Sequence, residues 1–156
     1  MYQTDLIMSR DKLYKGRVSL KYHYYHITIC TQNKTPFFNQ LTTAQCLITQ
    51  MKKLVSEQQI LPVAWVIMPD HLHWLFQLTS NNSLSKVIQT LKGRSSRVIN
   101  QQNDKIQFSW QRGFHDHGIR TEENLIQVAR YIVANPLRAG LVERVGDYPL
   151  WDTVYL

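Results

Sequence analysis

Hydrophobic and polar positions alternate in several short runs along the chain, which is the pattern of strands that bury one face. Residues 22–31 are rich in aromatic and β-branched side chains and predict a first strand. Apolar runs over 63–68 and 71–78 predict a second and a third strand. The alternation within 106–110 predicts a fourth.

Three longer segments carry apolar residues at helical spacing. The first spans 39–60 and is expected to stop before Pro62, and the second spans 83–100. The third follows Thr121, which has the side chain of an N-cap. It should end near Asn135, because the next residue is a proline, which disfavours helical geometry in the residue before it.

This order of elements predicts an α+β fold, a ferredoxin-like sandwich (βαββαβ) with an additional C-terminal helix. The first two helices of such a fold cover one face of the sheet. The other face must be covered by the third helix, a partner or a ligand.

Composition and charge narrow the class of protein. A length of 156 residues with 44% hydrophobic positions suits a single globular domain over 1–156, although 1–16 are weakly patterned and could form a flexible arm. The formal net charge of +7 favours a polyanionic partner, while a basic protein without such a partner stays open. Cys30 and Cys46 lack paired spacing and no apolar run could span a bilayer, so a cytoplasmic protein is expected.

The strand predicted over 71–78 presents two histidines on one face. The opposite, apolar face carries Leu72, Trp74, Phe76 and Leu78. His71 and His73 lie about 7 Å apart along the strand, and two imidazoles so placed can bind one divalent metal. The alternative is a pair of half-buried sheet histidines with hydrogen-bond partners, so the motif needs a third ligand and a reactive group.

The third predicted helix carries a tyrosine and an asparagine on one face. Tyr131 and Asn135 are four positions apart and therefore stack one turn apart. The amide oxygen can ligate a hard cation while the phenol points at a phosphate bound to the same ion. The alternative is that Tyr131 borders the core and Asn135 ends the helix. The functional interpretation requires this helix and the histidines to meet on the same sheet face.

At these positions the sequence resembles a known family. The segments that carry the resemblance are 66–74 (VIMPDHLHW), 110–120 (WQRGFHDHGIR) and 129–142 (ARYIVANPLRAGLV). In order, spacing and flanking residues they are similar to REP-associated tyrosine transposases, a branch of the single-tyrosine transposases with an HUH (His, bulky hydrophobic, His) motif. The resemblance covers about 16–151.

This resemblance implies cleavage and rejoining of single-stranded DNA next to hairpins, through a 5′-phosphotyrosine link. It places the nucleophile at Tyr131 and the metal ligands at His71, His73 and Asn135, with Mg²⁺ or Mn²⁺ as the cofactor. The REP-associated branch is known mainly as monomers, whereas other relatives are dimers that exchange the tyrosine helix. A monomer is therefore expected, and a homodimer stays open.

Further residues are candidates for DNA contacts. The candidates for phosphate contacts are Lys92, Arg94, Arg97, Arg112 and Arg138. Trp110 and Phe114 could stack on unpaired bases, although core packing is at least an equal alternative. His115, Asp116 and His117 are expected to shape the pocket or to contact DNA, and a second metal site is the less favoured alternative.

Three other functions remain open at this point. A hairpin-binding protein of the same fold would no longer cut, although Tyr131, the histidines and Asn135 are all present. A metal phosphoesterase would use His71 and His73 without a covalent step. A basic RNA-binding ferredoxin-like domain would normally read bases with exposed sheet aromatics, whereas the face opposite the core here carries two histidines.

Overall fold

The structure, a computed structural model, describes residues 19–155. The strands are β1 (Tyr24–Cys30), β2 (Ile60–Met68), β3 (His71–Leu78), β4 (His115–Ile119) and β5 (Trp151–Thr153). The helices are α1 (Leu41–Ser56), α2 (Leu84–Gln102), α3 (Glu122–Val133) and the short α4 (Asn135–Arg138). The arm predicted over 1–16 lies outside the described residues, and the single domain over 1–156 stays a prediction.

The five strands form one antiparallel sheet in the order β4-β1-β3-β2-β5. The first four strands have the order of a ferredoxin-like sandwich, which confirms the predicted fold class, and β5 extends the sheet beside β2. Within 19–155, no helix has the length and apolar character that crossing a membrane requires.

One face of the sheet is buried under α1 and α2. The four apolar residues predicted for this face of β3 are at most 1% exposed, namely Leu72, Trp74, Phe76 and Leu78. Ile27 and Ile29 of β1 are buried in the same cluster. The Ser83 hydroxyl accepts a hydrogen bond from the Lys86 N–H (3.1 Å) and thereby begins α2 with an N-cap.

The other face of the sheet is covered in part by α3. Leu125, Val128 and Ile132 of α3 are buried in a second cluster that includes Leu75 of β3. The predicted N-cap is confirmed, because the Thr121 hydroxyl accepts from the third residue after it (3.3 Å). The third helix therefore covers the part of this face that β2 and the middle of β3 form.

The predicted fourth strand is wrong, because segment 106–110 forms only an isolated bridge of Trp110 to Thr31 and the fourth strand is β4. The Phe108 N–H donates to the Asn100 side-chain oxygen (2.7 Å), and the Phe108 carbonyl accepts from the Asn100 side-chain nitrogen (2.9 Å). These backbone groups therefore do not bond to a neighbouring strand. The alternation has another cause, which is an aromatic cluster. Phe108 packs on Phe37 and on Trp110 with ring centroids 5.0 and 5.1 Å apart.

Pro62 does not stop the first helix. α1 ends earlier, and Gln58 adopts a left-handed φ of 59° where the chain turns toward β2. Pro62 lies inside β2, beside a register shift between Pro62 and Ala64. A bulge tolerates a residue without a backbone N–H, so proline fits there. The sequence did not predict the strand β5, because three residues are too few to show an alternation.

Candidate active site

The sheet face toward α3 collects most of the histidines. Because side chains alternate along strands, the pairing of β1 with β3 and β4 places five of the six histidines on this face. They are His26, His71, His73, His115 and His117. The helix that carries Tyr131 lies on the same face, which is the arrangement that the sequence interpretation required.

His71 and His73 pack edge to face, with ring centroids 4.9 Å apart. The Nδ1 atom of His71 lies 2.6 Å from the Asp70 carboxylate, and the His71 side chain is 25% exposed. Since a carboxylate accepts a hydrogen bond from Nδ1–H, the other ring nitrogen, Nε2, keeps the lone pair that a metal requires.

His73 has two polar neighbours on β1. Its Nδ1 atom lies 3.0 Å from His26 Nε2 and 3.0 Å from Thr28 Oγ1. Burial, followed by the neighbouring histidines and Arg138, lowers the pKa of His73 to about 3. Burial and His117 lower the pKa of His26 to about 4. Both rings are therefore neutral at neutral pH, which is the form in which imidazole binds metals.

His26 and Thr28 were not among the residues that the sequence predicted. A signal for them exists, because both alternate with Ile27 and Ile29 of the buried face and so must point to the other side of β1. Their contact with His73 depends on β1 lying next to β3. That neighbour relation comes from the sheet order and not from the pattern within β1.

Tyr131 and Asn135 lie at the corner between α3 and α4, where Ala134 alone separates the two helices. Tyr131 is 46% exposed, and Asn135 is half-buried one turn later. The guanidinium carbon of Arg138 lies 3.7 Å from the centre of the Tyr131 ring, and its Nη2 donates to the Tyr131 carbonyl (2.7 Å). Arg138 therefore packs as a cation over the tyrosine ring.

The charge of Arg138 links this corner to the histidines. It contributes to the lowered pKa of His73, so the guanidinium lies within electrostatic range of that ring. α3 also packs in the cluster that contains Val66 and Met68, the β2 partners of His73 and His71, so its C-terminal corner and the histidines lie on one sheet face. Arg138, predicted to contact phosphate, lies at this corner beside Tyr131.

The 115–117 cluster forms the edge strand β4. His115 and His117 are exposed on the histidine face, with His117 opposite His26, while Asp116 points to the other face. Among residues 19–155, no group of three or more His, Cys, Asp or Glu side chains could hold a metal. A second metal site at 115–117 therefore gains no support. The predicted third ligand of the His71–His73 pair, the amide of Asn135, is of another residue type and stays a prediction.

The predicted phosphate contacts on α2 differ in their surroundings. The Lys92 ammonium donates to the carbonyls of Gln111 (2.8 Å) and Gly113 (2.5 Å), and burial lowers its pKa to about 8. Arg94 forms a bidentate ion pair with Glu57, at 2.5 and 3.2 Å. Lys92 therefore anchors a loop. Arg97 and Arg112 are exposed, as phosphate contacts would have to be.

The two aromatic candidates for base stacking are both half-buried beside the core. The Trp110 indole N–H donates to the Ser95 hydroxyl (2.9 Å), and its ring packs on Phe38 with centroids 5.6 Å apart. Core packing is therefore the main role of Trp110. Phe114 directly precedes β4.

Comparison with known proteins identifies the class. A family model described as "Transposase IS200 like" matches residues 19–135. A protein of Haemophilus influenzae, provisionally named a REP-associated tyrosine transposase, is 31% identical over 140 residues, covering 80% of this chain and 76% of that protein. The chain therefore belongs to the IS200-like transposase family, a class of DNA-processing enzymes.

Two further similarities point to one branch of this family. A REP-associated tyrosine transposase of Escherichia coli is 29% identical over 87 residues, which cover 55% of this chain and 50% of that protein. A solved structure of a REP-associated tyrosine transposase bound to a REP hairpin has the same fold, with a TM-score of 0.74, 23% identity and coverage of 87% of this chain and 79% of that chain. These findings confirm the resemblance predicted from the sequence.

Proposed function

We propose that this protein cleaves and rejoins single-stranded DNA next to hairpins through a covalent bond to Tyr131. The observation that carries the proposal is the location of the Tyr131 corner and the His71–His73 pair on one sheet face. Hairpin DNA is the proposed substrate because a relative of the same fold was solved with a REP hairpin. That the protein acts as a cytoplasmic monomer stays a prediction.

The side chains on this face fit a divalent cation. Asp70 engages Nδ1 of His71, so His71 presents Nε2 as a ligand, and His73 presents Nε2 in the same way. The Asn135 amide would add an oxygen. Two imidazoles and one oxygen leave positions for phosphate oxygens, which suits Mg²⁺ or Mn²⁺. Such an ion, when bound, supplies charge that polarises the scissile phosphate.

His26 and Thr28 are positioning residues for His73 in this proposal. A proton on Nδ1 of His73 is donated to one of these two acceptors, and Nε2 then keeps its lone pair. The opposite tautomer would carry its proton on Nε2 and could not ligate. Partners of this kind typically change metal affinity by about 10–100-fold.

Tyr131 is the proposed nucleophile. Its phenolic oxygen forms a bond to phosphorus while the bond from phosphorus to the 3′ oxygen breaks. The phenol loses its proton to solvent or a base, and the departing 3′ oxygen gains one, so the products are a 5′-phosphotyrosine and a free 3′-OH. The Arg138 cation over the ring holds Tyr131 in place and stabilises negative charge on the phenol. Attack by a 3′-OH reverses the step and joins strands.

The test is a denaturing gel of a 3′-labelled hairpin oligonucleotide, taken from the repeats that flank the gene, incubated with Mn²⁺. The protein variants are wild type, Tyr131→Phe and, as a matched control, Tyr22→Phe, since Tyr22 is another exposed tyrosine. We expect a metal-dependent covalent adduct with wild type and Tyr22→Phe only. Cleavage without an adduct, equal in Tyr131→Phe, would favour a phosphoesterase. Binding without cleavage would favour a hairpin-binding protein.

A further inference from the structure

Thr31 is a buried polar residue at the end of β1. It directly follows Cys30 in sequence and has no exposed surface (0%). A buried hydroxyl group costs free energy unless it is hydrogen-bonded. Valine would fill nearly the same volume without that cost, so the hydrogen-bond partners of the Thr31 hydroxyl account for its presence.

Two donors of Thr31 converge on one oxygen, the Asp70 carbonyl. The Thr31 N–H donates to it over 2.9 Å, and the Thr31 hydroxyl donates to it over 3.0 Å. The hydroxyl also lies 2.8 Å from the Thr35 carbonyl, and since it has a single proton it shares that proton between the two carbonyls. The Asp70 carbonyl belongs to the peptide bond between Asp70 and His71. Thr31 therefore fixes the peptide that leads into His71.

The contact between Asp70 and His71 depends on the geometry of this peptide. Neighbouring side chains on an extended strand point to opposite faces, so a residue within β3 could not reach the ring of the next residue. Asp70 lies instead in the two-residue turn between β2 and β3, and from there its carboxylate lies 2.6 Å from Nδ1 of His71. Both side chains are partly exposed, at 30% and 25%. The backbone of the turn, rather than the packing of the side chains, therefore sets the direction of the carboxylate.

Thr31 is itself held against the core. It forms a bridge with Trp110, whose ring packs in the aromatic cluster. A further hydrogen bond runs from the N–H of the buried Phe38 to the Pro69 carbonyl (3.0 Å). Both carbonyls of the turn 69–70 thus accept from the segment 31–38. The turn that precedes His71 is therefore fastened to the core, and Thr31 provides the two hydrogen bonds that lie nearest to His71 in the chain.

We propose that Thr31 is a positioning residue for the metal ligand His71 and that it acts through Asp70. Thr31 fixes the Asp70–His71 peptide, and the turn then directs the carboxylate to Nδ1 of the ring. The proton of His71 stays on Nδ1, and Nε2 keeps the lone pair that binds the cation. This inference rests on the proposed function and adds a positioning residue to it. His73 is positioned across the sheet by side chains of β1, whereas His71 is positioned by the turn that precedes it.

Three single substitutions separate this role from a merely structural one. Thr31→Val removes the hydroxyl and keeps the size of the side chain, whereas Thr31→Ser keeps the hydroxyl. The matched control is Thr35→Val, because the Thr35 hydroxyl lies in the same segment and donates to the Gln32 carbonyl (3.0 Å) instead of Asp70. The melting temperature of each variant is recorded, and all other measurements are made well below the lowest of these temperatures, so that folded proteins are compared.

Nitrogen-15 NMR of metal-free protein at mildly alkaline pH measures the tautomer of each histidine. Wild type should carry the His71 proton on Nδ1. In Thr31→Val, part of the population should carry it on Nε2, because the carboxylate is no longer held in place, and the tautomer of His73 should not change. Thr31→Ser and Thr35→Val should give the wild-type result. A lower melting temperature of Thr31→Val with an unchanged His71 tautomer would show a structural role only and would overturn the inference.

Mn²⁺ affinity, measured by electron paramagnetic resonance, tests whether Thr31 acts through Asp70. Direct partners of a ligand typically change metal affinity by about 10–100-fold. Thr31→Val should weaken binding by about tenfold, the lower end of that range, because Thr31 lies one contact further from the ligand. Asp70→Ala should weaken binding at least as much, and Thr31→Val should add little to the loss in that background, since residues that act through one contact are not additive.

The outcomes separate this inference from the proposed function. Independent, additive losses in Thr31→Val and Asp70→Ala would overturn the inference, and so would equal Mn²⁺ affinity of Thr31→Val and wild type. A Tyr131 adduct that still forms would then leave the proposed function intact. Wild-type protein that binds no Mn²⁺ would overturn both.

Discussion

The two faces of β3 belong to the same eight residues but differ in polarity and burial at every position except Leu75. Toward α1 and α2, the side chains are apolar and at most 1% exposed, as for Trp74 and Phe76. Toward α3, His71 and His73 are half-buried and bonded to polar neighbours. The first face supplies the burial that stabilises the fold. Because the apolar side chains of β3 are packed against α1 and α2, the backbone of the strand is fixed and its histidines have little freedom to move.

The largest expected effect that separates the two faces is on catalysis. His73→Ala should reduce metal-dependent cleavage by about 10³-fold or more, because a bound ion contributes several kcal/mol to transition-state stabilisation. Hairpin binding should remain. The matched control is Gln77→Ala, on the same face of the same strand, which should cleave normally. Rates are measured under single-turnover conditions, and unchanged cleavage by His73→Ala would refute its assignment as a ligand.

A substitution on the buried face of β3 should change the stability of the protein. Phe76→Ala should lower the free energy of unfolding by about 3–5 kcal/mol, as large-to-small substitutions of buried phenylalanine do. Urea denaturation measures the change. The folded fraction of this variant should still bind Mn²⁺ at 10 °C with wild-type affinity. Unchanged stability would contradict the stabilising role of the buried face. Lost metal affinity in folded Phe76→Ala protein would show that the two faces are not separable.

A smaller effect is expected for the residues that position His73. Replacing His26 by alanine and Thr28 by valine together should weaken Mn²⁺ binding by about 10–100-fold, since His73 loses both acceptors. His26→Gln, which keeps an acceptor, should retain more affinity. Mn²⁺ titration followed by electron paramagnetic resonance gives the affinity. Nitrogen-15 NMR of metal-free protein reports the tautomer independently. Unchanged affinity and an unchanged tautomer in the double variant would contradict the positioning role.

The smallest expected effect is on the pH dependence of stability in metal-free protein. Folding lowers the pKa of His26 from 6.5 to about 4, so the unfolded chain binds more protons between these two values. Stability should therefore rise as pH increases from about 4 to 6.5 and be lost on acidification through the same window. Urea unfolding of wild type and His26→Gln across this window measures it. A curve for His26→Gln as steep as that of wild type would contradict the assignment.

Much of this fold was predictable from local pattern. The alternation of β3 and the N-cap Thr121 are properties of short segments, and both are confirmed. The predicted fourth strand failed because Ile106 and Phe108 alternate for a tertiary reason, the aromatic cluster beside α1, which no local rule detects. The fourth strand itself, β4, contains two histidines, an aspartate and a glycine and has little strand character.

The candidate site was predictable where its residues share an element. His71 and His73 share β3, whereas Tyr131 lies in the last turn of α3 and Asn135, four positions later, begins α4. The contact of His26 with His73 joins two strands 47 residues apart in sequence. The position of such a partner depends on sheet order and register, which a single sequence leaves open. The roles of all these residues in catalysis stay predictions.

The most direct measurement of the central claim is a peptide map of the covalent adduct. Trypsin cuts after Arg130 and Arg138 and so releases residues 131–138 as one peptide, whose only tyrosine is Tyr131. After incubation with a hairpin oligonucleotide and Mn²⁺, followed by nuclease and trypsin, mass spectrometry should find this peptide bearing a 5′-linked nucleotide, and chelator should abolish it. A nucleotide on any other peptide, or cleaved DNA without a modified peptide, would contradict the account.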